Sequence, residues 1–208
     1  MNWKLIEKDK ANQPKSGSYP DWKEQIAKEC FNQCIYCSIN EAQFGGIDHY
    51  HIEHYKPKSI ERFKDLEDDI CNLFYSCPIC NRFKSNDWPN DADDLDIVCY
   101  PDPSEYNYKD LFEVNSDDYK VYGKHVSTAY MTERLYLNRP QLLYERRESF
   151  LKKREEKVTK SIGKLQDKIK DPKDIDILKE TLKGIIDLNS IIQKRDKIRP
   201  YKLAEIRK

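Results

Sequence analysis

The chain has 208 residues with 37 Lys+Arg against 37 Asp+Glu, a charged fraction of 36% and a mean hydropathy of -0.92. No apolar run approaches the ~20 residues needed to cross a bilayer, and 14 Tyr with 7 Phe exclude a disordered chain, which is poor in aromatics. The zero net charge is uneven: residues 1–133 carry 15 basic against 25 acidic side chains, and residues 134–208 carry 22 against 12. A basic final third suits nucleic acid or an acidic partner, or is the solvated face of Lys-rich helices. The opening stretch MNWKLIEKDK has no apolar signal core, which points to the cytoplasm. In that reducing setting the seven cysteines are thiolate ligands or buried thiols rather than disulfides.

In chain order, residues 1–20, with Pro14, Gly17 and Pro20, predict an irregular arm. Asp21 is placed to cap a short helix over WKEQIAKECF, with Trp22, Ile26 and Phe31 on one side. Residues 34–37 make a tight knuckle, and the segment after it ends at Gly45-Gly46. Residues 49–57 predict a short strand and a turn closed by Pro57, and residues 59–69 a short helix or loop. Residues 70–75 are apolar enough to bury, and CPICNRFKSND starts a helix. The stretch 86–107 holds seven acidic residues and three prolines, a surface loop in which IVCY (97–100) is a candidate strand. LFEV (111–114) and YKVYG (119–123) alternate around NSDD and predict a β-hairpin. From Val126 the pattern turns helical. Leu151, Val158, Ile162, Leu165 and Ile169 form one apolar series, and Leu178, Leu182, Ile185, Leu188 and Ile192 a second. Asp171-Pro172 separates them, so an antiparallel helical hairpin with a narrow seam is predicted.

Two CxxC pairs, Cys34/Cys37 and Cys77/Cys80, carry the strongest chemical signal. Four thiolates at about 2.3 Å satisfy Zn²⁺ completely, and such a closed site is structural. Cys30, Cys71 and Cys99 are left as buried thiols, with Cys30 or Cys71 as irregularly spaced alternatives for a ligand. Between the pairs lies HYHIEHYKPKS, residues 49–59, which holds three of the four histidines; the fourth is His125.

The order Cys34-Ile-Tyr-Cys37, Ile52-Glu53-His54-Tyr55-Lys56-Pro57, Asn72-Leu73, Cys77-Pro-Ile-Cys80-Asn81-Arg82-Phe83-Lys84 resembles the HNH endonuclease family over residues 34–84. The resemblance implies an α+β chain with a zinc-pinned ββα-metal core: a two-stranded ribbon, a helix and one catalytic ion. It implies His54 as general base, Asn72 as the residue positioning that base, and Glu53 and Asn81 as ligands of the catalytic metal. Phosphodiester hydrolysis needs those types: a histidine to take a proton from water near neutral pH, and a hard cation on the phosphate. Glu53 and Asn81 are oxygen donors, which favours Mg²⁺ or Mn²⁺ over a transition metal. Adjacent residues of a strand face opposite ways, so Glu53 and His54 grip one ion only if the strand bends there, and otherwise the alternation fits a metal and a water-activating base that flank the phosphate. His51, two residues before Glu53, is a candidate further shell, a phosphate contact or a solvent-exposed residue, while Lys56, Lys58, Arg82 and Lys84 are candidate phosphate contacts or plain surface charge.

A wider string, HIEHYKPKS, CNLFYSCPICNRFKS and ERLYLNRPQLLYERRE (133–148), is similar to HNH proteins of Septu-type and retron-associated anti-phage defence operons. That likeness implies DNA as substrate and a co-encoded ATPase subunit as partner. The helical tail, by its seam, is also suited to a second copy of the chain. The domain reading is a nuclease domain over 1–100, with arm and zinc, and an extension over 101–208. The rival reading is a zinc-ribbon binding module for nucleic acid or protein, without catalysis. Such a module has no need of Glu53, His54, Asn72 and Asn81 together.

Overall fold

The computed structural model describes residues 3–91, 94–166 and 174–196. The chain divides into two compact units, Met1–Leu143 and Tyr144–Lys208. The boundary predicted at 100/101 therefore falls inside the first unit. The reason is a shared core: Tyr100, Tyr108, Phe112, Val121, Leu135 and Leu137 are buried in one cluster with Trp22, Tyr36 and the cysteines. Asp87 adds a polar tie, accepting from the Tyr100 hydroxyl (2.7 Å), the Tyr130 hydroxyl and Arg134 Nε (3.0 Å).

The centre of this unit is an antiparallel ribbon followed by a helix. Strand β1 (His51–His54) pairs with β2 (Leu73–Ser76), Glu53 opposite Phe74 and His54 opposite Leu73. All four residues of β2 are buried, as the apolar run of 70–75 predicts. Two earlier elements prop this ribbon. Helix α1 (Lys23–Glu29) buries Ile26 and Ala27, and a 3₁₀ turn over Tyr19–Trp22 precedes it. Asp21 is not the cap; it sits at the third position of that turn and its carboxylate accepts from the Ser18 N–H (3.0 Å), because the turn begins three residues earlier than the apolar periodicity suggests. The knuckle at 34–37 is tied to β2 by the Ile35 N–H donating to the Tyr75 carbonyl (3.0 Å). Helix α2 (Pro78–Lys84) starts directly at the second CxxC, where Cys77 Sγ accepts from the Cys80 N–H (3.4 Å) and Pro78 occupies the first turn, where its missing N–H costs nothing.

The arm is better anchored than its composition predicts. Trp3 and Ile6 are buried, and Trp3 stacks on Phe112 and donates its indole N–H to the Tyr36 carbonyl (3.2 Å). IVCY is not a strand: residues 97–100 are irregular, with Cys99 and Tyr100 buried as plugs rather than as ladder residues. A short helix α3 (Tyr108–Leu111) leads into the predicted hairpin, β3 (Phe112–Val114) with β4 (Val121–Gly123), and helix α4 (Val126–Arg134) follows.

The second unit holds α5 (Pro140–Gln166) from its second turn onward, and α6 (Ile175–Asp196). They run antiparallel: Arg147 donates to the Lys194 carbonyl (2.8 Å), and Ile162 lies against Gly184. Leu151 and Ile162 are buried, in line with the first apolar series. The second series is displaced. The α6 stripe facing α5 contains Thr181, Gly184 and Ile191, whereas Leu178, Leu182, Ile185 and Ile192 are exposed. Small residues at 181 and 184 let the helices approach, and an apolar count passes over them. Ile169 and the break at Asp171-Pro172 lie outside the described residues. No helix among the described residues is long and apolar enough to cross a membrane.

Candidate active site and metal centre

The four CxxC cysteines converge although 39 residues separate the pairs. Their Sγ atoms all lie within 4.8 Å of one another and all four are buried. Tetrahedral Zn–S bonds of about 2.3 Å place sulfurs about 3.8 Å apart, and Cys37 Sγ is 3.7 Å from Cys77 Sγ. The donor set and spacing therefore fit a structural zinc. Among the described residues no other group of three or more His, Cys, Asp or Glu is arranged to hold an ion, so Cys30 and Cys71 are not alternative ligands. Burial pushes the Cys34 and Cys80 thiols well up, while hydrogen bonds from Cys34, Cys37 and Cys80 draw Cys77 down. Four buried sulfurs cannot all be thiolates without a cation among them, and Zn²⁺ would supply that charge.

Arg139, which the sequence reading passes over, supplies part of the same compensation. Its Nη1 points at Cys80 Sγ (3.6 Å) and its Nη2 at Cys37 (3.6 Å) and Cys77 (3.8 Å). The thiolates hold its pKa above the ordinary value against the cost of burial. Nothing local to residue 139 signals this; it lies 102 residues from Cys37.

The histidine stretch builds a different centre. An open cleft of about 450 Å³, bordered among others by Tyr19, Glu53, His54, Lys58, Asn81 and Arg82, runs along the end of β1 and the side of α2. Glu53 and His54 both reach it because His54 is the last residue of β1, where the chain leaves the ladder. That is the bend the alternation of side chains requires.

His54 is half-buried and packs edge-on against the Tyr19 ring (4.8 Å). Its Nε2 lies 3.0 Å from the Glu67 carbonyl oxygen. A carbonyl only accepts, so Nε2 carries the proton and Nδ1 holds the free lone pair. Burial lowers the His54 pKa from 6.5, opposed by the Glu67 carbonyl and reinforced by Lys58. The ring is thus neutral near pH 7, with one nitrogen able to accept a proton.

Glu53 is buried at 3% exposure. Its Oε1 accepts from Lys84 Nζ (2.7 Å) and from the Tyr36 hydroxyl (3.2 Å). Burial raises its pKa, and Lys84 works against that, favouring the carboxylate. Both described contacts fall on Oε1, which leaves Oε2 to the cleft. Asn81 also borders the cleft, its Oδ1 engaged among the described residues by a long bond from Ser76 Oγ (3.5 Å). One carboxylate oxygen and one amide oxygen match the habit of Mg²⁺ and Mn²⁺, which keep waters and substrate phosphates as their remaining ligands. Bound there, such an ion would supply positive charge at the phosphate.

Lys84 differs from its reading as a phosphate contact or surface charge. Its side chain is 0% exposed and is spent on Glu53 and on the His54 carbonyl (3.1 Å). It is a positioning residue. Asn72 is one too: its amide accepts from the Lys56 N–H (2.8 Å) and donates to the carbonyls of Lys56 (3.1 Å) and Leu66 (3.1 Å). It fixes the loop on both sides of Glu67, whose carbonyl holds His54, without touching the imidazole. Lys58 bonds Glu67 (2.7 Å) and the Tyr19 hydroxyl (2.8 Å). Lys56 is half-buried and lies over the Phe63 ring (6.0 Å). Arg82 and His51 are exposed. His49 ends a 3₁₀ turn away from the cleft lining, and His125 precedes α4. Tyr19 and Tyr36 escaped the sequence reading because they come from separate segments, 35 and 18 residues before His54 in the chain.

No curated protein and no solved structure matches the chain. Residues 34–87, which span both CxxC pairs, the ribbon and α2, match the family model of the HNH endonucleases, and this quarter of the chain is where the nuclease resemblance lies.

Proposed function

We propose that the chain is a metal-dependent endonuclease that hydrolyses phosphodiester bonds of DNA. The observation that carries this reading is a neutral His54 with Nδ1 free, beside two oxygen donors in one open cleft. His54 Nδ1 takes a proton from water as the oxygen attacks phosphorus. Glu53 and Asn81 would hold Mg²⁺ or Mn²⁺, and the ion would supply positive charge for the phosphate and the leaving oxygen. Arg82, exposed at the border of the cleft, contacts a neighbouring phosphate, and His51, exposed at the start of β1, is a further phosphate contact. Plasmid nicking by the wild type and by His54→Ala tests the assignment: equal nicking by both would remove His54 as the base, and no nicking by either, with the co-encoded ATPase added, would leave the zinc-ribbon binding module as the reading.

The finer reading is an effector nuclease of a Septu-type bacterial defence complex, working in the cytoplasm with a co-encoded ATPase. Its supports are the motif string and the charge division. A core with ten more acidic than basic side chains over residues 1–133 grips DNA poorly by itself. The ATPase supplies that grip, or the basic helical extension does. The exposed apolar stripe of α6, with Leu182 57% and Ile186 59% exposed, is the surface for that subunit or for a second copy.

A further inference from the structure

Residues 135–137 contain a contradiction that folding alone does not explain. Leu135 and Leu137 are fully buried, and Tyr136 between them is 60% exposed. Its φ is 50°, in the left-handed region that favours Gly or Asn and strains a ring-bearing residue. A large aromatic here thus costs backbone energy and recovers little by burial. What it makes is a parallel stack: the Tyr136 ring covers Phe83 with centroids 4.9 Å apart and planes at 20°. One ring face is used in that contact, and the other is turned to solvent.

Phe83 lies on α2, next to Arg82 and two residues after Asn81, and both of these border the cleft. Arg82 is exposed and makes no ion pair among the described residues. Successive residues of a helix turn by about 100°, so Arg82 projects between the cleft side of Asn81 and the side that carries the stack. A nucleic-acid strand that leaves the cleft past Arg82 would run towards the ring.

We propose that the Phe83–Tyr136 stack is a platform for an unpaired nucleobase, so that the site accepts single-stranded or locally opened nucleic acid beside the scissile phosphate. This rests on the nuclease reading and adds a substrate class to it. Base–aromatic stacking is indifferent to sequence because every base has a π-face.

The test uses full-length His54→Ala protein, which does not consume its ligand, and a fluorescein-labelled single-stranded 20-mer. Tyr136→Gly relieves the left-handed strain, so its melting temperature stays level or rises. The platform predicts affinity for the single strand lower by roughly 5- to 150-fold, with Tyr136→Trp restoring it and affinity for blunt duplex changed far less. Unchanged single-strand affinity in Tyr136→Gly overturns the platform and leaves the nuclease reading to the nicking assay. Failure of the His54→Ala protein to bind any nucleic acid overturns the platform too, and active nicking by the wild type then shows that the nuclease reading survives it.

Discussion

Burial acts on His54 and Glu53 in opposite directions, and the site depends on both. Loss of water lowers the His54 pKa and raises that of Glu53. The base is then neutral, and at Glu53 the ion pair with Lys84 works against burial and favours the carboxylate. Because the folded pKa of His54 is depressed, its contribution to stability is present above pH 6.5 and is lost as pH falls through the folded value. Activity follows the same group. A profile of kcat/KM from about pH 5 to 8 should show an acid limb with its midpoint below 6.5, the ordinary histidine value. A midpoint above it would contradict a neutral, desolvated base. Lys84 gives a second handle. Lys84→Met strands a buried carboxylate and should cost roughly 3–5 kcal/mol, read as a fall in denaturation midpoint. The double variant Lys84→Met/Glu53→Gln should recover much of that stability and none of the activity. At this scale the motif residues were legible because their order in the chain is itself the signal. The burial of Lys84 was not, since a lysine four residues past a CxxC looks like surface charge until Trp88 and Tyr100 close over it.

The elements divide the work between the two centres. The CxxC knuckles clamp β2 and the start of α2, and the ribbon and α2 then set the spacing of His54, Glu53 and Asn81. Arg139, just before α5, locks the far end of the first unit onto the thiols. Arg139→Leu should weaken zinc retention about 10- to 100-fold, as loss of an outer partner does elsewhere, measured by competition with a chromogenic chelator. Unchanged retention would mean the guanidinium only fills space. The second hairpin and the helical onset at Val126 were legible from periodicity and turn residues, whereas the two-stranded ribbon came from the family resemblance. The seam of α6 was misplaced because two apolar stripes lie side by side on it, and only the small residues Thr181 and Gly184 distinguish the one facing α5. Residues 97–100 look like a strand because β-branched and aromatic residues suit both a ladder and a buried plug.

Across the whole molecule, the same chain joins an acidic part that holds the HNH match to a basic helical extension. The balance is −10 over residues 1–133 and +10 over 134–208. If a partner supplies the grip, the isolated chain should bind duplex DNA weakly, in the range above about 10⁻⁶ M at physiological salt. Fluorescence anisotropy across a salt series measures this. Tight, steeply salt-dependent binding by the chain alone would assign the grip to its own basic third. The charge division was legible in the sequence; which surfaces it places near a substrate was not, because that depends on long-range packing.

The most direct test is nicking of supercoiled plasmid in Mg²⁺ or Mn²⁺ by the wild type and His54→Ala, with zinc content measured on both. We predict cleavage by the wild type, reduced about 10²- to 10⁴-fold in the variant as expected for a general base, at equal zinc content. Equal cleavage by both proteins, or none by either even with the co-encoded ATPase added, would contradict His54 as the base of a nuclease.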